Sequence, residues 1–328
     1  ALSDAVLKGR GSLPAALADR FLATVDDVAA AQRFFHWELE FPEVFFDRDG
    51  ARLPAAGFDA VIGNPPWDMV RADTGNADTR KNARRDVASV LRFTRDAGVY
   101  QAQSGGHANR YQLFLERAIA LTRHGGRIGL VLPSGLATDH GSAPLRRLLL
   151  SRCDLDALVG IDNHRGIFPI HRSVGFLLVT ASRGSPTRRV ACRFGIEDPA
   201  VLEGIGEESS ETSSWFPVCV SPALLERISG SSLTIPALRS ATDLGIVDRA
   251  SALFPPLGSP RGWAVQFGRE LNASDDRAAL RAPGRGMPVV EGKHLDPFRV
   301  ALDRVRYSIR PTDARRLLRS ERHQRPRL

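Results

Sequence analysis

Apolar residues recur at helical spacing near the start of the chain and form a short dense run further along. Four of them, separated by four, four and three positions, predict a helix within residues 1–35; they are Leu17, Phe21, Val25 and Val28. The segment FDAVIG, residues 58–63, is apolar and β-branched and is followed by Asn64 and two prolines. This pattern predicts a buried strand ending at a rigid turn, because proline lacks a backbone donor and holds the preceding residue extended.

Helices and strands alternate over the next part of the chain. Residues 110–123, RYQLFLERAIALTR, carry apolar positions along one helical face, and we expect Gly125 and Gly126 to cap this helix at its carboxyl end. The strand RIGLVLPS follows, and after it come a helix over 143–151 and strands over 155–161 and 174–180. The alternation predicts an α/β fold whose sheet binds its ligand at the carboxyl ends of the strands, which is where Asn64 lies.

The composition changes after residue 182. Residues 183–262 are rich in Ser, Gly and Pro and lose their periodicity, which indicates a linker and helical connection. Residues 263–308 alternate short apolar runs with turns, which indicates the beginning of a β-rich region. We therefore expect an α/β domain over 1–182, a connection over 183–262 and part of a second domain over 263–328.

The charge of the chain is unevenly distributed. The 328 residues have a formal net charge of +8, and residues 301–328 contain nine arginines against three acidic residues. Clustered basic residues are typical of a contact with a phosphate backbone, although a solvated helical face has the same composition. No apolar run is long enough to cross a bilayer, and three widely spaced cysteines form neither a disulfide framework nor a metal-binding pair. These features predict a cytoplasmic protein without a membrane partner.

The motif Asn64-Pro65-Pro66-Trp67 has the chemistry of a pocket for an aromatic amine. The Asn64 side-chain oxygen can accept one hydrogen of an amino group, and the Pro65 carbonyl can accept the other. Trp67 offers a flat face on which a ring can stack. Two acceptors draw the nitrogen lone pair out of conjugation, so the amine can attack an electrophilic methyl group without a strong base. The alternative interpretation is a Pro-Pro turn beside a surface tryptophan.

Several segments around this motif resemble one enzyme family. They are FFHWELEFPEVF (34–45), NRYQLFLERAIALTRHGGRIGLVLPSGLATD (109–139) and LVGIDNHRGIFPIHRSVGFLLVT (158–180), with weaker similarity over 263–277 and 288–298. In this order they resemble the gamma-class DNA N6-adenine methyltransferases, above all the methylase part of type IIG-like restriction-modification and phage-defence enzymes. The resemblance implies a Rossmann-like methyltransferase sheet over 1–182 and the start of a β-rich target-recognition domain over 263–328.

The resemblance also implies roles for individual residues. Asn64, Pro65, Pro66 and Trp67 would form the catalytic motif, and Phe168 would stack with Trp67 on either side of an adenine flipped out of double-stranded DNA. S-adenosylmethionine would be the methyl donor, and restriction or defence-system subunits would be further partners. The basic residues expected to contact DNA are Lys293, Arg304, Arg306 and Arg310.

The family pattern is incomplete in this chain. Such enzymes bind S-adenosylmethionine with a glycine-rich motif upstream of the catalytic strand. The 57 residues before Phe58 contain no predicted strand that is followed by a GxG motif and a helix. The Gly9–Gly11 triplet follows no strand, and the Gly284–Gly286 triplet lies far downstream in an expected turn. We therefore expect a fragment that lacks the main cofactor loop, with the cofactor-binding residues unassigned and activity in isolation doubtful.

Three other functions fit parts of the sequence. The same motif serves methylation of RNA or of protein glutamine, and a methyltransferase-like shell can act as a non-catalytic DNA-recognition subunit. A metal-dependent nuclease is suggested by Asp275 or Asp276 followed by Glu291 and Lys293, a pattern of two acids and a lysine. The eight histidines contain no metal-binding motif.

Overall fold

The computed structural model describes residues 13–68, 88, 90–96, 98–103, 109–204, 215–265, 271–284, 286–297 and 299–318. The chain divides into two units, Ala1–Pro256 and Leu257–Leu328. The described helices of the first unit are α1 Ala15–Gln32, α2 Trp37–Glu40, α3 Pro42–Phe45, α4 Arg110–Leu121, α5 Gly135–Thr138, α6 Ala143–Arg152, α7 Pro222–Ser229 and α8 Ala241–Leu253. Its described strands are β1 Phe58–Gly63, β2 Thr122–Pro133, β3 Cys153–Ile161, β4 Phe176–Arg183, β5 Val190–Ile196 and β6 Val218–Val220.

The six strands of the first unit form one mixed sheet in the order β1-β2-β4-β3-β5-β6. The pairs β1/β2 and β3/β5 are parallel, whereas β4 runs antiparallel to both β2 and β3. Phe176, the first residue of β4, is therefore paired with Pro133 at the end of β2 and with Ile161 at the end of β3. The carboxyl ends of β1, β2 and β3 and the start of β4 consequently meet at one edge of the sheet.

The core of the first unit lies between the sheet and α4 and α6. These two helices contact each other, and each contacts a strand, β2 and β3 respectively. Alternate residues of β2 point into the core, so Ile128, Leu130 and Leu132 are buried while the residues between them are not fully buried. The α/β fold class expected from the sequence is confirmed.

Strand β1 is formed where the sequence predicts it, but it is not buried. Among the described strands β1 pairs only with β2 and is therefore an edge strand, and Ile62 is 85% exposed. The expectation of a buried strand was wrong because the apolar run records the composition of the strand and not which strands flank it.

The two glycines after α4 also have another role than the one expected. Helix α4 ends at Leu121, where the Thr122 N–H donates to the carbonyl of Ala118, and β2 begins at once. A Cβ at Gly126 would lie 2.7 Å from Thr122 Cγ2 and 2.9 Å from the carbonyl oxygen of Phe58. Gly126 therefore permits the close approach of β1 and β2 and does not cap the helix.

The sheet continues beyond residue 182, which differs from the expected domain limits. Strands β5 and β6 belong to the same sheet as β1, although they lie within the region expected to be a linker, and the first unit extends to Pro256. The expected boundaries at 182/183 and 262/263 thus do not coincide with the division of the structure, because a Ser-, Gly- and Pro-rich composition hid two short strands. None of the described helices combines the length and apolarity needed to cross a membrane.

The second unit is rich in short strands, as the sequence predicts. Its described elements are β7 Leu280–Arg281, β8 Met287–Val289, β9 Leu295–Asp296, β10 Arg299–Val300, β11 Tyr307–Ile309 and helix α9 Pro311–Leu317. Strand β11 lies between β7 and β8 in an antiparallel sheet, and β9 and β10 form a separate antiparallel pair. Ala279, Ile309 and Ala314 form a small buried apolar cluster in this unit.

Candidate functional site

The Asn64-Pro65-Pro66-Trp67 motif directly follows β1, at the edge of the sheet where the strand ends meet. Asn64 is exposed, Pro65 is buried and Trp67 is half-buried. The Trp67 indole Nε1 donates to the carbonyl of Val131 on β2 at 3.3 Å. The next residue, Asp68, accepts at its backbone carbonyl from the Arg110 N–H, at the start of α4, at 3.0 Å. The motif is therefore held between β2 and α4.

The two acceptors that the sequence assigns to an amino group are available on this motif. Within the described part of the chain, no hydrogen bond is made by the Asn64 side chain, and no backbone N–H donates to the Pro65 carbonyl. An exposed amide oxygen can accept a hydrogen bond from a ligand, and so can an adjacent carbonyl to which none of the described residues donates. The motif can therefore receive an amino group, provided that the group approaches from the carboxyl edge of the sheet.

Trp67 and Phe168 lie together, but not as two parallel walls. Their ring centroids are 5.9 Å apart and their planes meet at 85°, an edge-to-face contact. A ring inserted between two parallel rings requires roughly 7 Å between them, since stacked atoms lie about 3.5 Å apart. The expected sandwich is thus not present in this arrangement. A base can stack on a free face of one ring, or it can enter between the two if Phe168 moves.

Phe176 completes the aromatic group and was not identified from the sequence. Its ring centroid lies 4.6 Å from that of Phe168 and 6.1 Å from that of Trp67, and the residue is buried at the start of β4. It supports both rings from the side of the sheet. In the sequence Phe176 has no feature that distinguishes it from other apolar strand residues. The pairing of β3 with β4 brings it beside Phe168.

A cleft of about 1050 Å³ borders the motif on the open side of β1. Most of its lining is aromatic or aliphatic, including Phe34, Trp37, Phe58, Ile62 and Phe114, and Asn64, Pro65 and Pro66 form one end. Its polar lining includes Tyr100, and burial raises the pKa of this phenol.

The fit of this cleft to S-adenosylmethionine is partial. The aromatic lining suits an adenine ring, but no Asp or Glu is among the described lining residues, where a ribose would need an acidic partner. The described part of the chain also contains no strand followed by a glycine-rich turn and a helix, and the Gly9–Gly11 triplet lies outside the described residues. The residues described here therefore supply one apolar wall and not a complete cofactor site.

The basic residues expected to contact DNA all lie on the surface of the second unit, but they differ in their ion pairs. Lys293 Nζ lies 2.7 Å from Glu291, and Arg310 Nε donates to Asp313 at 2.8 Å. The hydrogen bond from Arg310 lowers the pKa of Asp313, so that carboxylate stays charged. Arg304 and Arg306 are exposed and form no ion pair within the described residues. These two have the charge most available for a phosphate.

The acidic residues of the nuclease alternative hold local structure. Asp276 accepts from the Asn272 N–H at 2.7 Å, Asp275 is hydrogen-bonded to the Asn272 side chain, and Glu291 is paired with Lys293. No group of three or more His, Cys, Asp or Glu side chains that could hold a metal ion occurs in the part of the chain that the structure describes. The described residues thus give the nuclease interpretation no support.

One comparison with known proteins gives a family match. Residues 9–168 match the Eco57I restriction-modification methylase family. No curated protein sequence matches the chain.

Among solved structures, the type I restriction enzyme EcoKI M protein is similar at 16% identity and a TM-score of 0.38, covering 67% of this chain and 55% of that chain. A modification subunit of a putative type I restriction enzyme from Vibrio vulnificus YJ016 is 18% identical, with a TM-score of 0.29 and coverage of 42% and 25%. A putative class I S-adenosylmethionine-dependent methyltransferase from Listeria monocytogenes is 16% identical, with a TM-score of 0.32 and coverage of 51% and 45%.

The chain spans less than two thirds of the length of each of these structures. At such identities and TM-scores the structural similarities add nothing to the family match. Asn64, Pro65, Pro66 and Trp67 all lie within the matched residues. The stretch 9–168 thus matches a restriction-modification methylase family, whose methyl donor is S-adenosylmethionine.

Proposed function

We propose that the polypeptide containing this chain transfers a methyl group from S-adenosylmethionine to N6 of an adenine flipped out of double-stranded DNA, within a restriction-modification or phage-defence system. The observation that carries the proposal is a pair of acceptors to which no described residue donates, Asn64 Oδ1 and the Pro65 carbonyl, close in sequence to the half-buried Trp67. An exocyclic amine next to an aromatic ring is the feature of adenine that such a pocket recognises.

The chemistry follows from these two acceptors. Asn64 and Pro65 each accept one hydrogen of the amino group, which makes the nitrogen pyramidal and withdraws its lone pair from conjugation with the ring. S-adenosylmethionine supplies the electrophilic methyl group. When the amine attacks this methyl group, the bond from the methyl carbon to the sulfonium sulfur would break, the neutral thioether would leave, and the nitrogen would lose one of its two protons to solvent. Holding both hydrogens at fixed acceptors lowers the barrier by positioning, so no strong base is needed.

The arrangement of the aromatic rings restricts where the target base can stack. Trp67 is anchored by its hydrogen bond to Val131, whereas Phe168 lies on the loop between β3 and β4. We therefore propose that Trp67 is the fixed stacking surface and that the Phe168 ring rotates out of its edge-to-face contact to stack on the base when the base enters. Base flipping replaces stacking lost in the duplex by stacking on such rings.

The second unit is proposed to contact the DNA backbone, with Arg304 and Arg306 as the main phosphate contacts. Both are exposed and neither forms an ion pair within the described residues, although Arg306 lies close enough to Glu291 to help lower the pKa of that carboxyl. Backbone contacts by Arg position a protein on DNA but carry little sequence information. Lys293 and Arg310 are proposed as weaker contacts, because a phosphate would have to compete with Glu291 and Asp313.

Competition between acceptors tests this proposal. The complete polypeptide is incubated with labelled S-adenosylmethionine and a mixture of unmethylated duplex DNA, RNA and protein, and the label in each is counted. We expect label in the DNA alone, and we expect Asn64→Ala to abolish it. The matched control is Asp59→Asn, which removes an exposed carboxylate on the same strand at its opposite end and leaves transfer unchanged.

The other outcomes identify the competing functions. Label in RNA or protein would show that the pocket accepts another amine. DNA binding without transfer to any acceptor would identify a non-catalytic DNA-recognition subunit.

A further inference from the structure

The loop between β3 and β4 is fastened by one buried side chain. Asn163 is completely buried, although its neighbours His164 and Arg165 are exposed. Its side-chain Nδ2 donates to the carbonyl of Phe168 at 3.2 Å, and the Phe168 N–H donates to Asn163 Oδ1 at 2.9 Å. Both polar groups of the amide are thus used on the backbone of a single residue.

The path of the chain between these two residues makes the double contact possible. Gly166 adopts a left-handed conformation with φ of 74°, and its N–H donates to the Asn163 carbonyl at 2.8 Å. This turn brings the chain back, so that Phe168 faces the Asn163 amide. A paired donor and acceptor on one residue fix the direction of its backbone, and therefore the direction in which its side chain leaves the backbone.

The ring oriented in this way is the one that we propose rotates when the base enters. Phe168 is half-buried and contacts Trp67 and Phe176, whereas residues 171–174 of the same loop are exposed. Within the loop, Asn163 is the buried anchor nearest to the ring. It can hold the backbone of Phe168 in place while the ring rotates about its side-chain bonds.

We propose that Asn163 is a positioning residue, which acts through Phe168 to place its ring for stacking against the target base. The inference rests on the proposed function and adds to it a residue that does not touch substrate. The amide is required, because an Asp at this position keeps the acceptor for the Phe168 N–H but turns an oxygen towards the Phe168 carbonyl. Two oxygens facing each other in a buried site repel.

A double-mutant cycle tests the inference. Asn163→Asp, Phe168→Ala and the double variant are made in the complete polypeptide, and kcat/KM for DNA methylation is measured. Loss of one base–aromatic stack is worth about 1–3 kcal/mol, so we expect each single variant to lose about tenfold. Since Asn163 acts only through Phe168, the double variant is expected to lose about tenfold as well, and not about a hundredfold.

A spectroscopic measurement separates positioning from a merely structural role. 2-Aminopurine placed at the methylated adenine reports the stacking of the flipped base. Asn163→Asp and Phe168→Ala should change its fluorescence in the bound complex in the same direction. The control Ser173→Ala removes an exposed hydrogen bond to His171 in the same loop and should change neither fluorescence nor rate. If Asn163→Asp does not fold, Asn163→Ser, which carries no charge, replaces it in the cycle.

The two levels of failure are distinguishable. Multiplicative losses in the double variant, with active wild-type enzyme and inactive Asn64→Ala, would overturn the inference and leave the proposed function standing. An inactive wild-type polypeptide, or transfer that survives Asn64→Ala, would overturn the proposed function and the inference with it.

Discussion

Thr187 joins the segment before β5 to the start of β3, and its removal gives a test of the fold. The Thr187 hydroxyl donates to the carbonyl of Cys153 at 2.6 Å and accepts from the Leu155 N–H at 3.0 Å. Cys153 and Leu155 are completely buried, and Thr187 is 6% exposed. In Thr187→Val a methyl group of nearly the same size replaces the hydroxyl, so both backbone groups lose their partner where water does not reach.

The size of the effect follows from these two groups. A buried donor or acceptor without a partner costs about 1–3 kcal/mol, so we expect Thr187→Val to lower the free energy of unfolding by about 2–4 kcal/mol. Thr187→Ser keeps the hydroxyl and removes one methyl group, for which we expect about 1 kcal/mol. With a urea dependence of about 3 kcal/mol per molar, the midpoints should fall by about 1 M and about 0.3 M respectively.

Urea unfolding followed by circular dichroism measures both variants against the wild type. The reasoning requires that the isosteric variant without a hydroxyl be the less stable of the two. If Thr187→Val unfolds at the same urea concentration as Thr187→Ser or above it, the hydroxyl does not join the segment before β5 to the start of β3 as described.

Three further predictions concern the sheet, the thiols and the second unit. Gly126→Ala should lower stability by about 1–3 kcal/mol in thermal unfolding, because the added methyl group forces β1 away from β2, and unchanged stability would contradict their close approach. Burial raises the pKa of Cys153 to about 11 and that of Cys192 to about 12, so a thiol reagent at pH 8 should label them only after unfolding, as mass spectrometry would detect. In DNA-binding titrations, Arg304→Ala should reduce the slope of log K against log salt by about 1, and Arg310→Ala by less because Asp313 already holds that guanidinium; equal slopes would refute the distinction.

The sequence was sufficient for local elements and for the motif. The β-branched run before Asn64 predicted β1, and the periodicity of residues 110–123 predicted α4, because both signals lie within a few residues of chain. The sequence could not show that β1 lies at an edge or that Gly126 faces the backbone of Phe58, since both depend on the strand that pairs with β1. A glycine pair after a helix is equally compatible with a helix cap and with the close approach of two strands.

In the site, too, some features follow from the local sequence and others depend on residues that are distant in sequence. The acceptors of Asn64 and Pro65 follow from residue chemistry alone, but the edge-to-face contact of Trp67 and Phe168 depends on the pairing of β3 with β4. Asn163 gave no signal at all, because its partners are backbone groups that every residue possesses. The acidic residue expected for the cofactor ribose is not among the described lining of the cleft.

The most direct test of the central claim is the identity of the nucleoside that the enzyme produces. Unmethylated duplex DNA is incubated with S-adenosylmethionine and the complete polypeptide, digested to nucleosides and analysed by mass spectrometry, in parallel with Asn64→Ala. We expect N6-methyladenine from the wild type and none from the variant. Another methylated base, or N6-methyladenine that persists in Asn64→Ala, would contradict the assignment of the amino-group pocket to Asn64 and Pro65.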